Sequence, residues 1–402
     1  MRQTVSLSEL GKWVGGGTPS KANSAYWTDG TIPWVSPKDM KTERIRDAMD
    51  RITEEAADNS AATRISRGAV LVVVRSGILK HSLPVAVADV DITINQDMKA
   101  VELRPGFLPE YVAWAIRAHA KDILHRCTKS GTTVQNIDFP SFLRFKVPIV
   151  PLDEQRRIVA EIEERLSRLE AGVAALKRVQ ANLKRYRAAA LAEMTHIDKE
   201  QLPTGWHWSS VGELAQVGTG STPKRDRADY WQGGTVPWVT SGVVNQPTVT
   251  EPTEFITETA LRETNCKVYP PGTLLVAMYG EGKTRGMCTE LCVPAATNQA
   301  LAAVQTSVEL RPFLKRVLQA SYERTRSAAS GGVQPNLNLS HVRAIRVPLP
   351  PPDEQDRIVQ EIDRRLSVVE ELETQVGADL ARAGPLRQAA LAQAFAPDSR
   401  SR

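Results

Sequence analysis

The sequence predicts an α+β fold made by internal duplication, with two similar globular domains separated by two long coiled-coil helices. Three observations predict it. A long pattern of residues occurs twice in the same order. Each copy closes its glycine- and proline-punctuated part at a proline-rich joint. Each joint is followed by a single apolar seam at helical spacing. The boundaries read as 1–150 for the first domain, 151–200 for the first helix, 201–350 for the second domain and 351–402 for the second helix and tail.

The duplication is carried by specific residues. Thr18-Pro19, Tyr26-Trp27, Gly30 and Pro33-Trp34 reappear 204 positions later as Thr222-Pro223, Tyr230-Trp231, Gly234 and Pro237-Trp238. GAVLVVV (Gly68 to Val74) answers GTLLVAM (Gly272 to Met278), and INQDMKAV (Ile94 to Val101) answers TNQALAAV (Thr297 to Val304). The period far exceeds that of a solenoid repeat, so this is a duplicated unit rather than an array. VLVVV and LLVAM have the composition of buried strands. Leu108 to Leu124 and Glu309 to Arg326 carry apolar residues at helical spacing.

The joints Val147–Pro151 and Val347–Pro352 cannot continue a central strand, which makes them boundaries. Asp153 and Asp353 are expected as helix N-caps, with Glu154 and Glu354 in the first turn, where the dipole favours acids. The first seam runs Ile158, Ile162, Leu166, Leu169, Val173, Leu176, Val179, Leu183. The second runs Ile358, Ile362, Leu366, Val369, Leu372, Val376, Leu380. A helix from Asp153 to about Met194 would be about 60 Å long. Gly384-Pro385 is expected to kink or break the second helix.

The chain has 402 residues, 42% of them hydrophobic, enough for two or three domains with buried cores. Four cysteines argue against a disulfide scaffold and suit a reducing cytosol. The longest apolar runs fall far short of the ~20 residues of a membrane helix, and Met1 to Trp13 has no apolar signal core, so a soluble, cytoplasmic protein is expected. The net charge is +5. Residues 1–150 hold 20 basic and 16 acidic groups and residues 201–350 hold 14 and 11, whereas residues 351–402 hold 7 and 10. The positive surplus thus belongs to the globular parts, which suits a bipartite polyanion such as DNA and is also within ordinary surface variation.

With the repeat and both joints in view, the chain resembles the specificity subunit of type I restriction–modification enzymes. The resemblance rests on the GxTP…YW…G…PW opening (Gly17 to Trp34, and Gly220 to Trp238 with Ser221 before Thr222-Pro223), on Pro151–Ile158 and Pro351–Ile358, and on the order domain, helix, domain, helix. It implies two target-recognition domains, each reading one half of a split DNA sequence. It also implies antiparallel spacer helices, pseudo-two-fold symmetry, and docking of methyltransferase subunits, two of them expected, together with restriction subunits. The implied partners are double-stranded DNA and those subunits, with no membrane. No cofactor or metal is implied in this chain; S-adenosylmethionine, ATP and Mg are expected on the partner subunits. Pro385 and the acidic second helix depart a little from the family's form.

Catalytic readings find little support. Ala277 to Thr284 (AMYGEGKT) nearly matches a phosphate-binding loop, but lacks its first glycine and an evident following helix. Gly15–Gly17 and Gly218–Gly220 precede Thr-Pro and read as turns rather than a methyl-donor pocket. No NPPY-like or DPPY-like tetrapeptide is present, so a self-sufficient methyltransferase is disfavoured. Cys266, Cys288 and Cys292 lack metal-ligand spacing and read as buried apolar cysteines. His119, His125 and Cys127 read as surface or packing residues, and Trp27, Trp34, Trp231 and Trp238 as core rather than base-stacking groups.

DNA contacts are expected from polar loops. The candidates are Lys21 and Lys38 near the first Thr-Pro element, with Lys224, Arg225 and Arg227 near the second. Arg75, Lys80, Lys283 and Arg285 follow the buried strands; Lys129, Thr132 and Thr133 precede the first joint, and Arg324 and Arg326 end the last domain helix. The alternative function is a coiled-coil adaptor that binds proteins rather than DNA.

Overall fold

The computed structural model describes residues 3–129, 134–195, 202–252, 254–279, 284–328 and 337–396. The chain divides into two units, Met1–Leu176 with Ala378–Arg402, and Lys177–Gly377. Each unit therefore contains one globular part, the beginning of one long helix and the end of the other.

In the first unit, a five-stranded sheet has the order Gly11–Gly15, Met98–Leu103, Val70–Val73, Val85–Ala88, Arg44–Ile45. Val70–Val73 is the expected strand, and all four of its residues are buried, as a central strand covered on both faces must be. The helix Pro109–Ala118 packs on this strand and on Val85–Ala88. A four-stranded sheet follows the order Asp50–Ile52, Ile32–Val35, Ile92–Ile94, Thr63–Ile65. The chain start, Gln3–Ser6, pairs antiparallel with Lys146–Ile149, just before the proline joint.

The second unit repeats this plan strand for strand. Its five-stranded sheet runs Gln216–Thr219, Leu301–Gln305, Leu274–Ala277, Cys288–Leu291, Thr248–Val249. The four-stranded sheet runs Glu254–Ile256, Val236–Val239, Ala295–Thr297, Val268–Tyr269, and His207–Ser210 pairs with Arg346–Leu349. The helical segments differ. Arg311–Ala328 is one helix, but its counterpart splits at His119 into Pro109–Ala118 and Ala120–Cys127, because His119 leaves helical geometry at φ −97°, ψ 11°.

The long helices span Leu152–Thr195 and Pro352–Phe395. Their first residues precede Asp153 and Asp353, so these aspartates sit in the first turn rather than at the caps. In the first unit the start of one helix and the end of the other run antiparallel, with Arg165 donating to Gln393 and Arg387 to Glu170. In the second unit Arg187 reaches Glu370 and Glu373 while Arg365 reaches Glu193, again antiparallel.

The seams do more than hold two helices together. Ile158, Ile162, Leu166, Leu391 and Phe395 belong to the core of the first unit, and Leu191, Ile358, Ile362 and Leu366 to that of the second. Two expected seam positions, Val179 and Leu372, are instead exposed, at 42% and 44%. The second helix also continues through Pro385. The proline removes one backbone donor, at a cost of about 3 kcal/mol. Burial of Leu391 and Phe395 against the first domain holds the turns beyond it.

The joint is fixed by its glutamine. Gln155 is almost fully buried; its amide nitrogen donates to the Gly106 and Val150 carbonyls, both at 2.9 Å, and its oxygen accepts from the Leu108 N–H at 2.8 Å. In the second unit Gln355 donates to the Pro350 carbonyl, and the Trp206 indole donates to Glu354. The cysteines divide unevenly. Cys127, Cys266 and Cys288 are buried and burial pushes the Cys288 thiol up to about 12, but Cys292 is exposed, contrary to the sequence expectation. Its place at the end of the strand Cys288–Leu291, one residue past the ladder, leaves it in solvent.

Candidate nucleic-acid interface

Each unit gathers its polar loops around the same small scaffold. In the first, the Trp34 indole donates to the Gly17 carbonyl at 2.9 Å and Trp27 to the Ser20 carbonyl at 3.2 Å, with the two rings edge to face. In the second, Trp238 donates to Ser221 at 3.1 Å and Trp231 to Lys224 at 3.0 Å, with the same ring geometry. The tryptophans thus brace the Thr-Pro loops from beneath. The glycines before those loops are required by close approach: a Cβ on Gly17 would lie 2.0 Å from the Ala61 carbonyl oxygen, and one on Gly220 1.8 Å from that of Thr297.

A second brace joins this loop to the next. Thr18 donates to Gln96, and Thr222 to Gln299 at 2.7 Å. Asn95 and Asn298 accept from backbone N–H groups two residues on, shaping both Asn-Gln turns alike. Neither glutamine stands out in the sequence as a functional residue, although the repeated Asn-Gln pair carries the signal. The first turn also binds the loop after the buried strand, through Val74 and Arg75 N–H to the Asp97 carbonyl. That loop meets the segment before the joint, where Arg75 bridges Asn136 and Ser76 N–H reaches the Gln135 carbonyl. In the second unit Met278 N–H reaches Ala300, and Leu337 N–H reaches Met278.

These bonds draw together the segments that carry Lys21, Arg75, Lys80 and Lys129, all exposed. Lys38 is exposed in the turn after Val35, whose carbonyl accepts from the Asn95 N–H. Lys129 lies 3.9 Å from Asp138. The electrostatics of the second unit are different. Arg225 forms a two-pronged pair with Glu254 and stacks 3.8 Å over Trp231. Arg227 pairs with Asp229 and Glu263, over the Tyr230 ring. Hydrogen bonding to Arg225 holds the Glu254 carboxyl below its ordinary range, and Glu263 pushes the Tyr230 hydroxyl upward. Both arginines are committed to carboxylates, while Lys224 is exposed beside them. Arg285 is half-buried in a turn. Thr132, Thr133 and Lys283 lie outside the described residues, and of Arg324 and Arg326 only their place on the helix Arg311–Ala328 is described.

Residues 2–185 and 203–380 match the family described as type I restriction modification DNA specificity domain. The chain belongs to that specificity family.

Among its relatives, the EcoR124I/EcoR124II specificity subunit of Escherichia coli is 42% identical over 159 residues, covering 40% of this chain and 39% of that one. The MjaIX specificity subunit of Methanocaldococcus jannaschii is 26% identical over 174 residues, 41% of this chain and 39% of the relative. Each of these two matches therefore spans well under half of the relative's length. The HsdS subunit from Thermoanaerobacter tengcongensis has the same fold, with a TM-score of 0.64 at 21% identity over 98% of this chain and 96% of that one. A chain solved in work on complex assembly and conformational transition of the type I R-M system gives a TM-score of 0.77 at 22% identity, covering 98% of both. In this type I specificity chain, each of the two family matches contains one of the braced loop clusters, and no described helix is long and apolar enough to cross a membrane.

Proposed function

We propose that the chain is the non-catalytic subunit that reads a bipartite, asymmetric DNA target and docks methyltransferase and restriction subunits. The supporting observation is the duplicated loop cluster: the same threonine, glutamine and tryptophan braces in both units, carrying different side chains at the rims. A common scaffold with unlike loops reads two different half-sites. Phosphate contacts come from the exposed lysines, which position each domain, and base contacts come from the polar loop residues between them. S-adenosylmethionine, ATP and Mg act on the partner subunits in this reading, in the cytoplasm.

The test is a salt titration of binding to a duplex DNA pool. Wild-type affinity should fall linearly in log–log coordinates, and Lys21→Ala with Lys80→Ala should flatten the slope by about 0.9 for each phosphate that is no longer neutralised. An unchanged slope removes both lysines from the interface. Absence of any salt-dependent DNA binding favours the protein-binding adaptor.

A further inference from the structure

The geometry points to a second ligand site in the first unit, a pocket that takes a phosphate group. It lies where residues 40–43 and 81–85, the split helix Pro109–Ala118 and Ala120–Cys127, and the end of the second long helix meet, around a cavity of 290 Å³. Four permanent cations line it, Lys41, Arg117, Lys121 and Arg387, with His81 beside them and Glu43 as the one carboxylate. The volume sits at the lower end of ligand pockets, about 300 Å³, and leaves ample room for a small oxyanion.

The charges around the cavity are incompletely balanced. The Arg117 side chain is 15% exposed; one of its nitrogens lies 3.9 Å from Glu43 and the other donates to the Val85 carbonyl. Its guanidinium lies 4.6 Å over the Trp114 ring, which fixes its plane. Arg387 also pairs with Glu43, and reaches Glu170 at 3.2 Å. Two guanidinium groups therefore share Glu43, and Lys41 and Lys121 stand exposed at the rim. Burial pulls Arg117 down to about 10, opposed by Glu43 and reinforced by Arg387, the pattern of a cation short of negative charge. A tetrahedral oxyanion supplies that charge, accepting from a guanidinium fork and from ammonium point charges together.

Lys41, Glu43 and Arg117 are not part of the duplicated scaffold, whereas Lys121 and Arg387 have basic counterparts in Arg324 and Arg187. In the register that places Pro312 against Pro109, Ala320 stands opposite Arg117; on the neighbouring loop Asn245 and Pro247 stand opposite Lys41 and Glu43. Arg187, the counterpart of Arg387, keeps the repeated pair, with Glu370 where Arg387 has Glu170, but takes Glu373 in place of Glu43. The second unit folds the same sheets without counterparts of Lys41, Glu43 and Arg117, so those three charges are not needed for the fold.

This site goes beyond the reading of DNA bases, and its phosphate could be a free anion or a DNA backbone group. Calorimetric titration of the full chain with pyrophosphate should show saturable binding, weakened about tenfold or more by Lys121→Glu and abolished by Arg117→Met. Lys121 is exposed, so its variant decides the matter if Arg117→Met fails to fold. A DNA arm separates the sources. Competition by pyrophosphate against duplex DNA, with a shallower salt slope in Lys121→Glu, assigns the pocket to the DNA backbone; DNA binding indifferent to both assigns it to a free anion. No saturable pyrophosphate binding, or equal affinity in wild type and Lys121→Glu, overturns the proposal.

Discussion

Four residues inserted after Val173 and four after Gly377 should lengthen the gap between the two half-sites by one or two base pairs while leaving the bases read unchanged. Four helical residues add ~6 Å of rise, and base pairs repeat every ~3.4 Å. Both insertion points avoid the buried anchoring residues. Ile158, Ile162 and Leu166 precede the first insertion and Leu183, Ala190 and Leu191 follow it. Ile362, Leu366, Val369 and Val376 precede the second, and Leu391 and Phe395 follow. Four residues exceed one helical turn by only ~0.4 residue, so the apolar seam is nearly kept. A panel of duplexes with the half-sites one to three base pairs further apart reads the result as a shifted optimum. An unmoved optimum with full affinity would show that the helices do not set the spacing.

Trp238→Ala should destabilise the second unit by about 3–5 kcal/mol, the range for removing a large aromatic from a packed core. Trp238 is 1% exposed, and the substitution also deletes its bond to the Ser221 carbonyl and its edge-to-face packing on Trp231. The Thr-Pro loop is left unsupported along with the core. Urea unfolding monitored within that unit measures the destabilisation as a lower midpoint at constant slope. A change below about 1 kcal/mol would mean that the brace is not structural.

The sequence made the duplication legible because the repeated residues are those the fold cannot vary: glycines pressed against carbonyls, tryptophans under the Thr-Pro loops, strands buried on both faces. Other features arise from packing that linear spacing does not display. The second helix survives Pro385 because Leu391 and Phe395 find a core in the first unit. Val179 and Leu372 keep helical spacing but have no core beside them and face solvent. Arg225 and Arg227 read in the sequence as free cations beside a loop, yet Arg227 is paired by its neighbour Asp229, and Glu254 and Glu263, which also take up the two arginines, lie 29 and 36 residues further along the chain. A local charge count therefore overstates the positive field of the second unit's rim. Gln96 and Gln299 are hidden for the opposite reason: a neutral amide in a short turn attracts no functional reading until its threonine partner is seen across the loop.

The most direct measurement of the central claim is the methylated motif in DNA from cells expressing this chain with a type I methyltransferase subunit. The expected result is one interrupted motif with two different half-sites separated by a fixed number of unread base pairs. Replacing residues 202–350 with the corresponding domain of another family member should then change one half-site alone. A continuous motif, two identical half-sites, or a replacement that altered both halves would contradict it.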